Sequence, residues 1–411
     1  MGGSSRRDSR SSDGSDVPQK SHYYHPARGL VLKGRYRIEG VLGHGRFSKC
    51  FEVTDLTVGE RRALKVYRAS SEFYEYFCNE KKILDAFKGD THPNVIQAFD
   101  RFEVEEDDST HGAIVYDIME GDVKKALKGT DGFSVEDTRK IFVQVARGLQ
   151  FMHDHGIVHA DLKPENVLIN KDMTVKICDV GSGMLVHEID SFRVGTVAYQ
   201  APELIIGLPY NTKIDVWSLG CLMFELLTDE CVFDPEMYFA SDADTESEGD
   251  EIGEGGADEE KGGDAPGEGE EDDSTLGEMD CTSETDSDEE YVEGYEWELN
   301  HFQLSAMRSL IGRVPSSIYG DAKFFPYFFN SRGRLRAMPR NIDNRNIKEI
   351  LVEEFKKDAQ VAEQVQSDMM MALVYDPALR PTAGDMADHM ERTYRKAVQK
   401  TSRFRGRRKQ Q

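Results

Sequence analysis

Between residues 34 and 120 apolar and polar positions alternate in short runs. RYRIEGVLG, SKCFEVTD and RRALKVYR each read as a strand, parted by a glycine turn and by residues 57–60. The period then changes. In FYEYFCNEKKILDAF the residues Phe73, Phe77, Ile83, Leu84 and Phe87 recur near helical spacing and predict a helix. Two more strands are expected at 95–103 and 113–118. After Gly121 helical patterns dominate: Ser134 and Asp137 fit an S-x-x-D cap, and Ile141, Val145, Leu149 and Met152 form a stripe that reads as core. Strands followed by helices predict an α+β protein in two lobes.

The pattern stops from about 237 to 298 and resumes with Trp297, Leu304, Met307, Leu310 and Ile311. Charge explains the gap. Residues 241–300 hold 26 Asp and Glu against one Lys, whereas the other 351 residues carry 50 acids and 50 bases. The net charge of −25 is therefore a local insert, expected to be a disordered loop between two helices. Residues 1–32 are polar and also expected to be disordered, and 396–411 form a basic tail. About 300 residues remain, enough for one large buried unit.

The six cysteines show no C-x-x-C pair, so neither a metal nor a disulfide framework is signalled and a reducing compartment is expected. No run of 18 apolar residues exists, and MGGSSRRDSR lacks both an apolar leader core and a myristoylation pattern. The expectation is a soluble monomer, cytoplasmic and/or nuclear, with no membrane or direct nucleic-acid partner.

Chemistry enters at Leu42-Gly43-His44-Gly45-Arg46-Phe47-Ser48, where glycines between two strands let backbone N–H groups approach phosphate oxygens. Lys65, in Ala63-Leu64-Lys65, offers phosphates a cation. Glu80, 15 residues on, is placed to hold that ammonium, with Glu72 and Glu75 as rivals. The decisive run is His159-Ala160-Asp161-Leu162-Lys163-Pro164-Glu165-Asn166, followed by Cys178-Asp179-Val180-Gly181. Phosphoryl transfer needs a carboxylate near the attacking hydroxyl, a cation on the γ-phosphate and oxygen ligands for Mg²⁺. Asp161, Lys163, and the pair Asn166 and Asp179 supply these in order.

With these motifs the chain resembles the eukaryotic protein kinases from about residue 36 to about residue 392. Ala201-Pro202-Glu203, Asp215-Val-Trp-Ser-Leu-Gly220 and Asp376-Pro-x-x-Arg380-Pro extend the likeness. The resemblance implies a bilobal kinase domain at 33–395, with a β-rich N-lobe (33–119), a helical C-lobe (120–395) and the acidic insert at 240–298. It implies ATP and Mg²⁺ as cofactors, nucleotide contacts from Leu42 through Ser48, Lys49 and Cys50 and from Lys65, and metal ligation by Asn166 and Asp179. Asp161, Lys163, Lys65 and Glu80 would be catalytic. The backbones of Asp117 and Met119 would meet the adenine, Tyr116 would wall the rear pocket, and Glu203 and Arg380 would form a buried ion pair.

ELIIGLPYNTKIDVWSLGCLMFEL, Cys231-Val-Phe-Asp-Pro235 and FFPYFFNSRGRLR look like the SR-protein kinases of the CMGC group. HADLKPEN and CDVGS also resemble the pre-mRNA-processing kinases. The first resemblance implies a serine/threonine kinase of basic, Ser/Arg-rich proteins such as splicing factors; the second implies a pre-mRNA-processing-type kinase as the alternative. Ala160 stands where most regulated kinases have the Arg that holds a phosphate on the activation segment, so activity independent of that phosphate is expected. A different function also remains compatible: an interaction protein that binds basic partners through the acidic insert on a kinase-fold platform.

Overall fold

The structure is a computed structural model that describes residues 23–106, 109–189, 194–233, 295–336 and 345–393. The acidic insert up to residue 294 and the basic tail lie outside the described residues, as do positions 1–22. Two compact units divide the chain: residues 1–129, 136–190 and 382–411 in one, 130–135 and 191–381 in the other. The lobe boundary expected between residues 119 and 120 falls inside the first unit.

The first unit opens with a six-stranded antiparallel sheet: β1 (Val31–Leu32), β2 (Tyr36–His44), β3 (Ser48–Asp55), β4 (Glu60–Tyr67), β5 (Ala98–Glu106) and β6 (Ser109–Tyr116), in the order β1-β2-β3-β4-β6-β5. The last two strands were expected at 95–103 and 113–118; they start three and four residues away from those positions. One face buries Tyr36, Ile38, Phe51, Val53, Leu64, Val66 and Val115. Helix α1 (Ser71–Ala86) starts where the Ser70 hydroxyl accepts from Phe73 N–H at 3.2 Å. It lies close to β6 because Gly112 has no side chain: a Cβ there would sit 2.2 Å from the Phe77 ring.

Residues 23–32, expected to be disordered, are part of this unit. Tyr24 is buried against Phe51 and His111, the Tyr23 hydroxyl donates to Gly45 O at 2.8 Å, and β1 pairs with β2. Two aromatic rings within a polar stretch bury enough apolar surface to order it.

Continuing the same unit are β7 (Gly121–Asp122), α2 (Val123–Leu127), α3 (Val135–Asp154), β8 (Ile157–Val158), β9 (Val167–Ile169), β10 (Val175–Ile177) and β11 (Met184–Leu185). The α3 stripe is core as expected, with Ile141, Val145, Leu149 and Met152 fully buried. Gly148 lets that helix approach the Asn94 carbonyl, 2.7 Å from where a Cβ would stand. The helical stretch 383–393 returns to this unit, where Arg147 pairs with Asp388 at 2.5 Å.

The second unit is helical: α4 (Pro202–Ile206), α5 (Lys213–Thr228), α6 (Tyr295–Ile311), α7 (Ser316–Tyr319), α8 (Phe325–Phe328), α9 (Ile347–Glu353) and α10 (Ala359–Ala372). Helix α5 is buried on every side from Ile214 to Thr228, the pattern of a central core helix. Arg380 locks this unit. Its Nη1 and Nη2 meet Glu203 Oε1 and Oε2 at 2.5 and 2.7 Å, and its remaining donors reach the carbonyls of Val374, Lys213 and Tyr375. The expected Glu203–Arg380 pair is thus present, fully buried, with all five guanidinium N–H groups satisfied.

Candidate active site

The first unit gathers the candidate residues. Strand β4 carries Lys65 to the sheet face toward α1, and the helical period brings Glu80 under it while Glu72 and Glu75 stay exposed. Lys65 Nζ lies 2.8 Å from Glu80 Oε2 and 2.6 Å from Asp179 Oδ1. Burial disfavours the ammonium, but Asp179 and Glu80 outweigh it, so the pKa stands well above the ordinary lysine value. Lys65 in turn holds the Asp179 carboxyl below its usual range. Glu80 is pushed above its usual range by burial, against the opposing pull of Lys65.

Two donors satisfy the buried Glu80 carboxylate. Lys65 takes Oε2, and the Tyr116 hydroxyl donates to Oε1 at 2.5 Å. This Tyr116 bond had no sequence signal, since it depends on which way a β6 side chain faces across to α1. Asn79 was also missed: its Nδ2 donates to the carbonyls of Gly181 at 2.8 Å and Gly183 at 3.0 Å. Gly181 permits the close approach, because a Cβ there would lie 3.1 Å from Glu80 Oε2.

Asp161, Lys163 and Asn166 form a second cluster after β8. Lys163 Nζ sits 2.9 Å from Asp161 Oδ2, and Asn166 Nδ2 donates to Asp161 O at 2.7 Å and Oδ2 at 3.1 Å. Cys178 N–H donates to Asn166 O at 2.9 Å, while the His159 ring contacts Cys178 O at 3.0 Å, tying this segment to Asp179. Ala160 and Asp179 both adopt left-handed backbone, φ 66° and 58°, a costly state that concentrates at functional sites.

Between β2 and β3 the glycine turn closes with Gly45 N–H on Ser48 O at 2.9 Å, so that amide serves the turn itself. A Cβ on Gly43 or Gly45 would meet nothing within 4 Å, which leaves open space beside both glycines. Arg46 O accepts from Arg68, and the Phe47 ring packs on Tyr76 at 4.4 Å, anchoring the turn to α1 and to the residue that follows β4. Asp117 N–H is bound to Gln97 O at 3.1 Å, which leaves its carbonyl as the group of that residue suited to an adenine amine.

The residues fit Mg-ATP. Asn166 spends its amide nitrogen on Asp161, which orients its carbonyl oxygen as the remaining ligand atom, and Asp179 spends Oδ1 on Lys65, leaving Oδ2. Two such oxygens match how Mg²⁺ is held, by few protein groups together with phosphate oxygens. Bound there, a nucleotide would supply the phosphoryl group and a metal held by Asn166 and Asp179 would neutralise its charge. In such a reaction the chain's own part would be to hold Lys65 charged between Glu80 and Asp179, and to present the Asp161 carboxylate, beside the Lys163 cation, as the group that would accept the hydroxyl proton.

A family model described as the protein kinase domain matches residues 36–252. The chain belongs to the protein kinase family. It is 31% identical over 222 residues to a probable serine/threonine-protein kinase PknB of Corynebacterium glutamicum, covering 51% of this chain and 34% of that protein. It is also 31% identical over 212 residues to dual specificity tyrosine-phosphorylation-regulated kinase 3 of Homo sapiens, covering 50% and 35%. The matched region therefore spans about a third of the relatives' length.

Proposed function

We propose that this chain transfers the γ-phosphoryl group of ATP, with Mg²⁺, to serine or threonine hydroxyls of basic, Ser/Arg-rich proteins such as splicing factors. The observation that carries the phosphotransferase reading is the buried Lys65 bridging Glu80 and Asp179 in the unit that also holds Asp161, Lys163 and Asn166. Ala160 offers no guanidinium to an activation-segment phosphate, which supports activity without that modification.

The substrate class rests on the SR-protein kinase motifs and on charge. A stretch with 26 acids and one Lys attracts Arg-rich chains and speeds their encounter, an effect salt screens within about 8–10 Å. HADLKPEN and CDVGS favour the pre-mRNA-processing kinases as a second reading. The test is phosphate transfer from Mg-ATP to a peptide panel containing Arg/Ser repeats, neutral serine peptides and acidic serine peptides. Preferential labelling of Arg/Ser repeats, lost in Asp161→Asn, is expected. Transfer without that preference would sink the substrate class, and no transfer to any peptide would leave the interaction-protein reading in its place.

A further inference from the structure

The second unit contains a cavity of about 590 Å³ whose charged lining, among the described residues, is cationic: Arg308, Arg313, Arg332 and Arg334, beside an apolar wall that includes Phe329 and Leu335. Among the described residues no Asp or Glu lines it. Elsewhere arginines of this chain meet carboxylates, as in Arg35–Asp55, Arg147–Asp388 and Arg380–Glu203. Among the described residues Arg313, Arg332 and Arg334 make no such pair.

Two of the arginines sit on a tightly held hairpin. Phe329 pairs with Leu335, Asn330 N–H donates to Arg334 O, and Gly333 at φ 69° returns its N–H to Asn330 O, both at 2.9 Å. The Asn330 side-chain oxygen accepts from the N–H groups of Arg332 and Arg334 at 3.0 Å each. The backbone that bears the two guanidinium groups is therefore fixed before any anion arrives. Like charges gathered around one cavity repel each other, and the forked donors of Arg match carboxylates.

We propose that this cavity binds the chain's own acidic segment, residues 241–293. That segment holds nearly all of the uncompensated charge of the protein, and it runs directly into α6, the helix that carries Arg308. From Tyr295 to Arg308 the helix rises roughly 20 Å, a span that about six extended residues cover. The acids at 286–290 are five to nine positions before Tyr295, within that reach. Tethering gives them an effective concentration on the order of millimolar, so weak exposed Arg–carboxylate pairs are enough to hold them. The inference does not depend on kinase activity. It adds that acids seated here are withdrawn from basic substrates.

The test compares the full-length chain with a full-length variant in which every Asp and Glu of 241–293 is replaced by Asn or Gln. The probe is a fluorescein-labelled peptide of residues 280–293, followed by anisotropy. The neutralised chain should bind the peptide at least about tenfold more tightly than the native chain, because the tethered competitor is gone. Adding Arg332→Gln and Arg334→Gln should weaken that binding about tenfold, with an unchanged melting temperature showing the exposed positions still fold. Raising salt from about 50 to about 500 mM should erase the difference. Equal affinity of native and neutralised chains, or indifference to the arginine changes, would overturn the proposal. So would binding of a neutral phosphoserine peptide but not the acidic one, since the occupant would then be a separate phosphoprotein.

Discussion

The Tyr116 hydroxyl donates to the Glu80 oxygen that Lys65 does not take, so this β6 side chain also fixes the carboxylate that fixes the lysine. Removing the hydroxyl alone leaves Glu80 Oε1 buried without a donor. Tyr116→Phe should lower kcat about tenfold, in line with a lost hydrogen bond to a charged group, with smaller effect on KM for ATP. The Tyr116 bond also draws the Glu80 pKa down, so its loss raises that pKa further. The acid limb of the pH–rate profile should move to higher pH. An unchanged profile would remove Tyr116 from the positioning role. Tyr116→Gly should in addition admit inhibitors with bulky rear groups, which Phe would still exclude.

Asp161→Asn and Asp179→Asn should each reduce phosphate transfer by about 10²–10⁴-fold while circular dichroism and melting stay native. Single-turnover rates separate the two: the first removes the proton acceptor, the second a metal ligand, so only the second should respond to raised Mg²⁺. Native-like turnover in Asp161→Asn would refute the catalytic assignment.

Lys65→Met leaves Glu80 buried without its cation. Its pKa, already raised, then rises more, so the native state holds a proton that the unfolded state has lost. Stability of the variant should therefore fall as pH increases from about 4.3, the unfolded glutamate value, up to the new folded pKa, and level off above it. The deficit against wild type should be about 3–5 kcal/mol at neutral pH and smaller near pH 5. Lys65→Met combined with Glu80→Gln should recover much of it at pH 7. A pH-independent deficit in urea titrations would contradict this account.

Much of this arrangement was legible in the sequence, and the misses share a cause. Motif spacing singled out Asp161, Lys163, Asn166 and Asp179, and the position of Glu80 just before the Lys-Lys-Ile-Leu run set it apart from Glu72 and Glu75; Glu80 is the one that meets Lys65. Tyr23 and Tyr24 were lost inside a stretch judged by average composition, because what buries them is the Gly45 turn and the sheet. The Tyr116 and Asn79 contacts join residues 36 and about 100 positions apart. No local pattern records which side chain such a distant partner will meet.

Arg380→Leu should destabilise the second unit by about 3–5 kcal/mol, because Glu203 stays buried without its cation and three carbonyls lose a donor. Equilibrium unfolding checks it. Glu203→Gln with Arg380→Leu should cost less than Arg380→Leu alone.

Phosphatase-treated protein made in bacteria should be fully active, and Thr196→Ala and Ser191→Ala should leave kcat unchanged. Strict need for a phosphate at either position would show that another cation does what Ala160 cannot.

Asn79 turns helix α1 and the segment after Asp179 into one lever. Its single amide grips the carbonyls on both sides of Ser182, so the helix cannot rotate outward without pulling Gly181 and Gly183 along or breaking both bonds. A ligand or partner that pushed on the exposed side of α1 would thus move Asp179 as well as Glu80. The two carboxylates that share Lys65 would shift together, and the lysine would lose or keep both at once.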